Sequence, residues 1–242
     1  MIIIPARLKS TRFPHKVLTQ IYGIPMVVRT AQLAKEIDDV IVACDEPIIA
    51  EVCTRYNVRS ILTSNTHESG TDRIAECARI LKLTKEEIII NLQGDEPFLE
   101  QEVILSLKRL MEREAKSRGK VPFMGSCAKP ITEKQANDPN LVKVVLNAKN
   151  EAIYFSRSII PYNRENVDGI GYLGHLGIYA FSGESLQEFC KLPKSTLESL
   201  EKLEQLRALE YSKTIVMAKV ESQSFGIDTK EDLERALKQF TH

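Results

Sequence analysis

The chain has 242 residues, 43% of them apolar and 27% charged, which is ordinary for a soluble globular protein and enough to build the core of one α/β domain. Thirty-three basic residues balance thirty-three acidic ones, which argues against a broad nucleic-acid or membrane footprint, and no stretch approaches the ~20 apolar residues of a membrane span. The apolar start at Met1–Ile4 is interrupted by Pro5 and Arg7, so it predicts a first strand and not a signal peptide, and the expected location is the cytoplasm.

Residues 2–4 predict a strand and 26–37 a helix with Pro25 near its first turn; 40–43 predict a strand, 47–56 a helix and 60–63 a strand. In DRIAECARIL, Ile74, Cys77, Ala78 and Leu81 recur at i, i+3, i+4 and i+7, an amphipathic helix. EEIIINLQGDEP supplies another apolar strand, and LEQEVILSLKRLMEREAK another helix. This alternation predicts a mostly parallel sheet with helices on both faces. The second half is less regular. VKVVLNAKNEAIYFS predicts an antiparallel hairpin turning around 148–151, and GHLGIYAF a further strand. TLESLEKLEQLRALEY reads as one helix with Leu197, Leu200, Leu203, Leu206 and Leu209 along a core-facing side; TIVMAKVE predicts a strand and DTKEDLERALKQF a terminal helix. Repeats, low-complexity linkers and clear boundaries are missing, so one domain is expected over 1–242. The five cysteines show no C-x-x-C spacing and are expected to be reduced and mostly buried.

Ligands of open parallel sheets bind beyond the carboxyl ends of the strands. The loop after the first strand, ACDEP and NLQGDEP all begin at such ends, which brings them into one neighbourhood. The dinucleotide and P-loop fingerprints are both missing. Arg7-x-x-Ser10-x-Arg12-x-Pro14-x-Lys16 offers guanidinium groups, an ammonium and backbone N–H groups suited to a polyphosphate, or else forms a solvated basic loop. Asp95, after Gly94, reads as a turn aspartate or as a carboxylate that holds Mg²⁺. Asp228 reads as a second metal ligand or, with Glu231, as a helix cap.

The ordered set R-x-x-S-x-R-x-P-x-K, SGTDRIAE, NLQGDEP, VKVV, YFSRSIIP, HLGIY, LEQLR and GIDTKEDLE resembles the 3-deoxy-manno-octulosonate cytidylyltransferases, the CMP-Kdo synthetase family, over essentially the whole chain. The resemblance implies a Rossmann-like nucleotidyltransferase sheet, a smaller antiparallel part serving dimerisation and sugar binding, and a homodimer. It implies Mg²⁺-dependent condensation of CTP with 3-deoxy-D-manno-octulosonate (Kdo) for lipopolysaccharide biosynthesis. It also implies that Arg7, Ser10 and Lys16 meet the triphosphate, Ser69, Gly70 and Arg73 border the nucleotide, and Asp95 and Asp228 hold the metal. Gln93, Arg157, His175, Tyr179, Glu204 and Gln205 resemble the sugar contacts. Taken by themselves, Arg73 equally suits a cover over a helix start and His175, in an apolar strand, a satisfied core histidine.

Two positions depart from the family pattern: His15 stands where glycine is usual, and Cys44 where threonine is frequent before the aspartate. The implied reaction is attack of the anomeric hydroxyl on the α-phosphorus of CTP, which needs positioning and charge neutralisation but no covalent intermediate. No residue suggests itself as a general base. Rival readings are a cytidylyltransferase for another acidic sugar, such as a sialic acid or an amino-substituted Kdo, and a nucleotide-binding module without turnover. Exposed Ile159, Ile160 and Pro161 are expected to form the dimer contact.

Overall fold

The computed structural model describes residues 1–10, 12–165, 167, 169 and 171–240. The unalternating run IIIPA forms β1 (Ile2–Ala6), buried along its whole length, as a parallel strand covered on both faces must be. A 3-10 turn (Lys16–Leu18) and two short strands, β2 (Gln20–Ile21) and β3 (Ile24–Pro25), lead to α1 (Met26–Lys35), which Pro25 precedes as N-cap. Then come β4 (Val40–Cys44), α2 (Pro47–Arg55), β5 (Ser60–Leu62), α3 (Gly70–Ile80), β6 (Ile88–Asn91) and α4 (Gln101–Arg118). Strands β6, β1, β4 and β5 lie side by side and parallel, as the alternation of strands and helices predicts. Ile2 and Ile4 join Val28 and Ala31 of α1 and Leu107 and Met111 of α4 in one cluster. Ile3 joins Ile74 and Cys77 of α3 in another. The period of two along β1 thus divides the core between two helical layers.

The second half comprises β7 (Met124–Ile131), α5 (Glu133–Ala136), β8 (Lys143–Leu146), β9 (Ala152–Ser156), β10 (Tyr172–Ser182), α6 (Gly183–Lys191), α7 (Thr196–Glu201), α8 (Leu206–Glu210), β11 (Ile215–Lys219) and α9 (Lys230–Gln239). Strand β10 runs antiparallel to β6 on one side and β7 on the other. It also meets β8 of the predicted β8–β9 hairpin, and β11 pairs parallel with β7. Among the described residues this gives one nine-stranded sheet whose main path is β11-β7-β10-β6-β1-β4-β5. A smaller apolar cluster of Phe13, Ile21, Met26, Phe98, Ile227 and Ala236 fastens the opening loop and α9 to the sheet. All five cysteines are free, and all but Cys190 are buried. No described helix is long and apolar enough to cross a membrane.

Three expectations are corrected. The leucine stripe does not lie on one helix: Lys202, at φ 54° and ψ 45°, separates α7 from α8, and Leu200 is 75% exposed. Leucines every third residue drift by roughly 60° per step on a helix of 3.6 residues per turn, so five of them cannot share a face. Breaking the segment lets Arg207 of α8 reach back to buried Glu198 of α7, donating from Nε and Nη2 at 2.8 and 2.6 Å. Secondly, Ile159 and Ile160 are half-buried, Ile159 packing beside Ile131 and Tyr172, so of the three expected patch residues only Pro161 is exposed. Thirdly, β7 and α6 have no counterpart among the predicted elements. The β7 stretch MGSCAKPI carries Gly, Ser, Lys and Pro, yet seven of its eight residues are buried because β10 and β11 flank it.

The Glu198–Arg207 pair generates a stability prediction. Removing one partner of a buried ion pair strands the other and costs about 3–5 kcal/mol. Arg207→Met is therefore expected to lower the melting temperature by roughly 6–20 °C at a sensitivity of about 2–4 °C per kcal/mol, as measured by calorimetry.

Candidate active site

Pro5 is the penultimate residue of β1, and two glycines let neighbouring turns approach it. A Cβ added to Gly70 would lie 3.2 Å from Pro5 Cγ, and one added to Gly94 would lie 3.2 Å from the Pro5 carbonyl oxygen. The start of α3 and the turn after β6 therefore converge on the end of β1, with a cleft of about 270 Å³ between them. Nine residues expected from the sequence line it: Arg7, Ser10, Lys16, Ser69, Gly70, Arg73, Gln93, Asp95 and Asp228. The opening loop folds over this cleft because Phe13, in its middle, is buried in the small apolar cluster. His15 takes the left-handed backbone, φ 56° and ψ 24°, which explains why glycine suits this position.

Lys16 is the centre of the charged half. Its side chain is buried, and its Nζ donates to Asp95 Oδ2 at 2.5 Å and to Asp228 Oδ1 at 3.0 Å. Burial works against the ammonium, but the two carboxylates outweigh it and raise the Lys16 pKa. For Asp228, burial works against the carboxylate, but Lys16 and Arg12 hold its pKa below the usual range; Arg12 Nη2 lies 3.0 Å from Oδ2. Asp228 is not the helix cap. Thr229 is the N-cap of α9, accepting from the Asp232 N–H at 3.1 Å, and the Asp232 carboxylate returns the bond to Thr229 N–H at 3.0 Å. Glu231 has no part in that box. Glu96, beside Asp95, is half-buried, and burial together with the Asp95 charge pushes its pKa up to about 8, which disfavours a third negative charge here. Lys9, also in the loop, is exposed and does not line the cleft.

The α3 edge is built by capping. Ser69 Oγ accepts from Asp72 N–H at 3.1 Å, leaving the positive end of the helix dipole at the cleft. Arg73 lines the cleft, but its buried guanidinium is engaged structurally. Nη1 donates to Thr63 Oγ1 at 2.7 Å and to the Ser64 carbonyl at 3.0 Å, and Nη2 lies 3.7 Å from Asp45. Glu76 holds the same loop from its other side, accepting from Ser64 N–H at 2.9 Å and pairing with His67. His67 and Glu68 line the cleft and were not anticipated; their only signal is adjacency to SGTDR.

Beyond Gln93 the site changes character. Gln93 Nε2 donates to Asn91 Oδ1 at 3.0 Å, and Asn91 faces Tyr179 in the β6–β10 register. Tyr179 hydroxyl donates to Gln205 Oε1 at 3.1 Å, and Gln205 Nε2 lies 3.5 Å from His175 Nδ1. Glu204 accepts from Thr71 Oγ1 at 2.8 Å; burial raises its pKa. Burial alone pushes the His175 pKa down to about 3, so this ring is neutral. Four of the expected residues, His175, Tyr179, Glu204 and Gln205, are thus joined to the cleft through Asn91 and Thr71. Arg157 stands apart from both groups: its Nε donates to the Glu201 carbonyl at 2.8 Å and its Nη1 to the Pro139 carbonyl at 3.0 Å.

Asn91, Thr71 and Ser126 are polar neighbours absent from the sequence expectations. Asn91 Nδ2 and Glu204 Oε1 are buried without a hydrogen-bond partner, and such atoms in a native structure call for a ligand or water. Among the described residues no three His, Cys, Asp or Glu side chains gather as a metal-binding group. Asp95 and Asp228, however, already converge on one cation, the Lys16 ammonium. Two carboxylates completed by phosphate oxygens are the donor set that suits Mg²⁺, so these residues fit that ion.

The chain is similar to known cytidylyltransferases in sequence and in fold. Residues 1–215 match the family model described as cytidylyltransferase. A Wolinella succinogenes 3-deoxy-manno-octulosonate cytidylyltransferase is 56% identical over 242 residues, covering 99% of this chain and 99% of that protein. A Helicobacter pylori protein of the same name (strain HPAG1) is 54% identical over 245 residues, covering 100% and 98%. A solved CMP:2-keto-3-deoxy-manno-octonic acid synthetase complexed with CTP superposes with a TM-score of 0.88 at 36% identity, covering 98% of this chain and 96% of that one.

The corrected cap gives a prediction in which stability is the readout. Thr229→Ala removes the cap and is expected to cost about 1 kcal/mol. Asp228→Asn leaves the cap in place and is expected to cost less than Thr229→Ala in the same denaturant titration.

Proposed function

The chain belongs to the 3-deoxy-manno-octulosonate cytidylyltransferases, within the cytidylyltransferase family, and we propose that the two halves of its site divide the two substrates of that reaction between them. The reaction joins CTP and Kdo: the anomeric hydroxyl oxygen bonds to the α-phosphorus, the bond from that phosphorus to the β-phosphate bridge breaks, and diphosphate leaves as the hydroxyl proton is lost to solvent. The observation that carries the division is the contrast between a cationic cleft at the end of β1 and a buried neutral cluster around β10.

On the triphosphate side, Arg7, Arg12 and Lys16 supply positive charge, and Ser10, Ser69 and the first N–H groups of α3 supply donors. Arg73 acts from behind by fixing the loop that carries His67 and Glu68. Asp95 and Asp228 would hold Mg²⁺. When bound, that ion neutralises phosphate charge and lowers the pKa of a hydroxyl it contacts. Lys16 must then shift its contacts from the carboxylates toward phosphate oxygens, because both cations draw on the same two aspartates.

On the sugar side, Asn91 Nδ2 is a donor without a partner, and Glu204 Oε1, which lies 3.6 Å from Arg207 Nη2 but makes no hydrogen bond, is an acceptor, matching the hydroxyls of a polyol. Tyr179 and Gln205 extend this pattern, and Gln93 stands at the border of the two halves. Arg157 is the guanidinium assigned to the Kdo carboxylate; reaching it means exchanging the two carbonyls it now holds. The product serves lipopolysaccharide biosynthesis. The cytoplasm, which keeps thiols reduced, suits five free cysteines.

Diphosphate release is expected to require CTP, Kdo and Mg²⁺ together when assayed against a panel of acid sugars. Turnover with a sialic acid and none with Kdo would overturn the assignment. Asp228→Asn, which spares the cap, is expected to lower kcat/KM by about ten- to a hundredfold, the scale of losing a charge-assisted contact of roughly 1.5–3 kcal/mol. In the same assay, Lys9→Ala, at an exposed residue outside the cleft, is expected to stay within about twofold of the wild type.

A homodimer completes the proposal. Ile153 of β9 and Tyr162 and Val167 of the segment that follows it are 58%, 84% and 56% exposed, apolar side chains that an interface would cover. Light scattering at micromolar concentration is expected to give about twice the mass of one chain.

A further inference from the structure

Where β10 runs beside β7 the register slips. Leu176 faces Cys127 and Tyr179 faces Ser126, so Gly177 and Ile178 have no partners in that ladder. Ser126 occupies the slip. Its hydroxyl lies 2.7 Å from the Ile178 carbonyl, 3.3 Å from the Leu176 carbonyl and 2.9 Å from His175 Nε2, and the side chain is fully buried.

The donor and acceptor roles in this group are forced. A serine hydroxyl has one proton and a carbonyl can only accept, so the proton goes to Ile178 at the shorter distance and Ser126 Oγ can only accept from His175. Nε2 of the ring therefore carries a hydrogen. Burial keeps the ring neutral, with one hydrogen in all, so Nδ1 is bare. The Gln205 side chain must then turn its amide nitrogen to Nδ1 and its oxygen to the Tyr179 hydroxyl, which is the arrangement observed. With its proton committed to Gln205, Tyr179 has only lone pairs left for a further partner.

We propose that Ser126 is a positioning residue for the sugar: by fixing the tautomer of His175 it sets the direction of the Gln205 amide and makes Tyr179 an acceptor toward a sugar hydroxyl. This rests on the assignment of the β10 cluster to the sugar. Without the serine oxygen, Nε2–H would be a buried donor with no acceptor, so the hydrogen moves to Nδ1. The Gln205 amide then reverses, and Tyr179 becomes a donor outward. The mismatch falls on the sugar and not on CTP.

The test combines spectroscopy and kinetics on the full chain. Long-range ¹H–¹⁵N correlation of histidine-labelled protein without substrates is expected to show the Nε2–H tautomer for His175, assigned by the signal lost in His175→Gln. Ser126→Ala is expected to shift that signal toward Nδ1–H and raise KM for Kdo about tenfold, the scale of one neutral hydrogen bond, with KM for CTP within about twofold. Ser126→Thr, which keeps the hydroxyl, is expected to restore both. An Nδ1–H tautomer in the wild type overturns the proposal, whether or not Ser126→Ala folds. So does a Ser126→Ala enzyme whose KM for Kdo is unchanged, or whose KM values for both substrates rise together. A wild-type protein that shows the expected tautomer but does not turn over Kdo overturns the sugar assignment instead, and the proposal falls with it.

Discussion

One buried ammonium holds three distant parts of the chain together. Lys16 pairs with Asp95, 79 residues away, and with Asp228, 212 residues away. An isolated charge in that position would be driven out or neutralised by the loss of hydration, so the burial of Lys16 depends on the carboxylates that face it, Asp95 at 2.5 Å above all. The same constraint acts in reverse on the aspartates, which would repel one another without a cation between them. Backbone and apolar contacts keep the three in place. Ile227 N–H donates to the Asp95 carbonyl at 3.0 Å, and Phe98 stacks on Phe240 at 4.9 Å between ring centroids. The charged half of the site is thus assembled by the chain's beginning, middle and end at once.

The two halves of the site use different physics, as the two substrates proposed for them require. A triphosphate carries several negative charges and retains water, which suits long cationic side chains at a cleft open to solvent; Arg7 and Arg12 are exposed. A sugar's hydroxyls are neutral and directional, so they are read by dipoles whose orientation is fixed in advance. His175, Gln205 and Ser126 meet that requirement by being buried and bonded to one another. The boundary coincides with a change of sheet type: the cationic cleft lies at the ends of the parallel strands β1 and β6, and the neutral cluster lies where antiparallel β10 enters between β6 and β7. The register slip in β10 disrupts the ladder locally and leaves carbonyls for a serine to occupy, a use of irregularity common beside binding sites.

The opening loop, the turn at Asp95 and the segment at Asp228 were legible because their chemistry is local. Charged residues, Gly and Pro sit together within a few positions of a predicted strand end, and strand ends of a parallel sheet lie on one side. The alternation of strands and helices was equally legible from apolar spacing, as were the hairpin and α9. Where reading failed, a partner remote in sequence had decided the outcome. Asp228 and Thr229 are both fair caps by composition, and Lys16 settles which of them is free to cap. The leucines of 197–209 suggest one helix, but the Glu198–Arg207 pair and Lys202 belong to a broken one. Strand β7 has almost no strand signal of its own and is held by its neighbours.

By itself, then, the sequence determined which residues have the chemistry for a polyanion and the order of the elements that carry them, since both depend on local composition and period, whereas the sugar contacts followed only from the family resemblance. Tertiary structure alone decided which of those groups are already engaged. Arg73 is tied to Thr63 and Ser64, Arg157 to two carbonyls, and His175 to one tautomer by a serine on a strand that local signals do not reveal. The reason is that a hydrogen bond or ion pair inside a protein is set by proximity in space and by the loss of competing water. Neither is encoded in the spacing of residues along the chain.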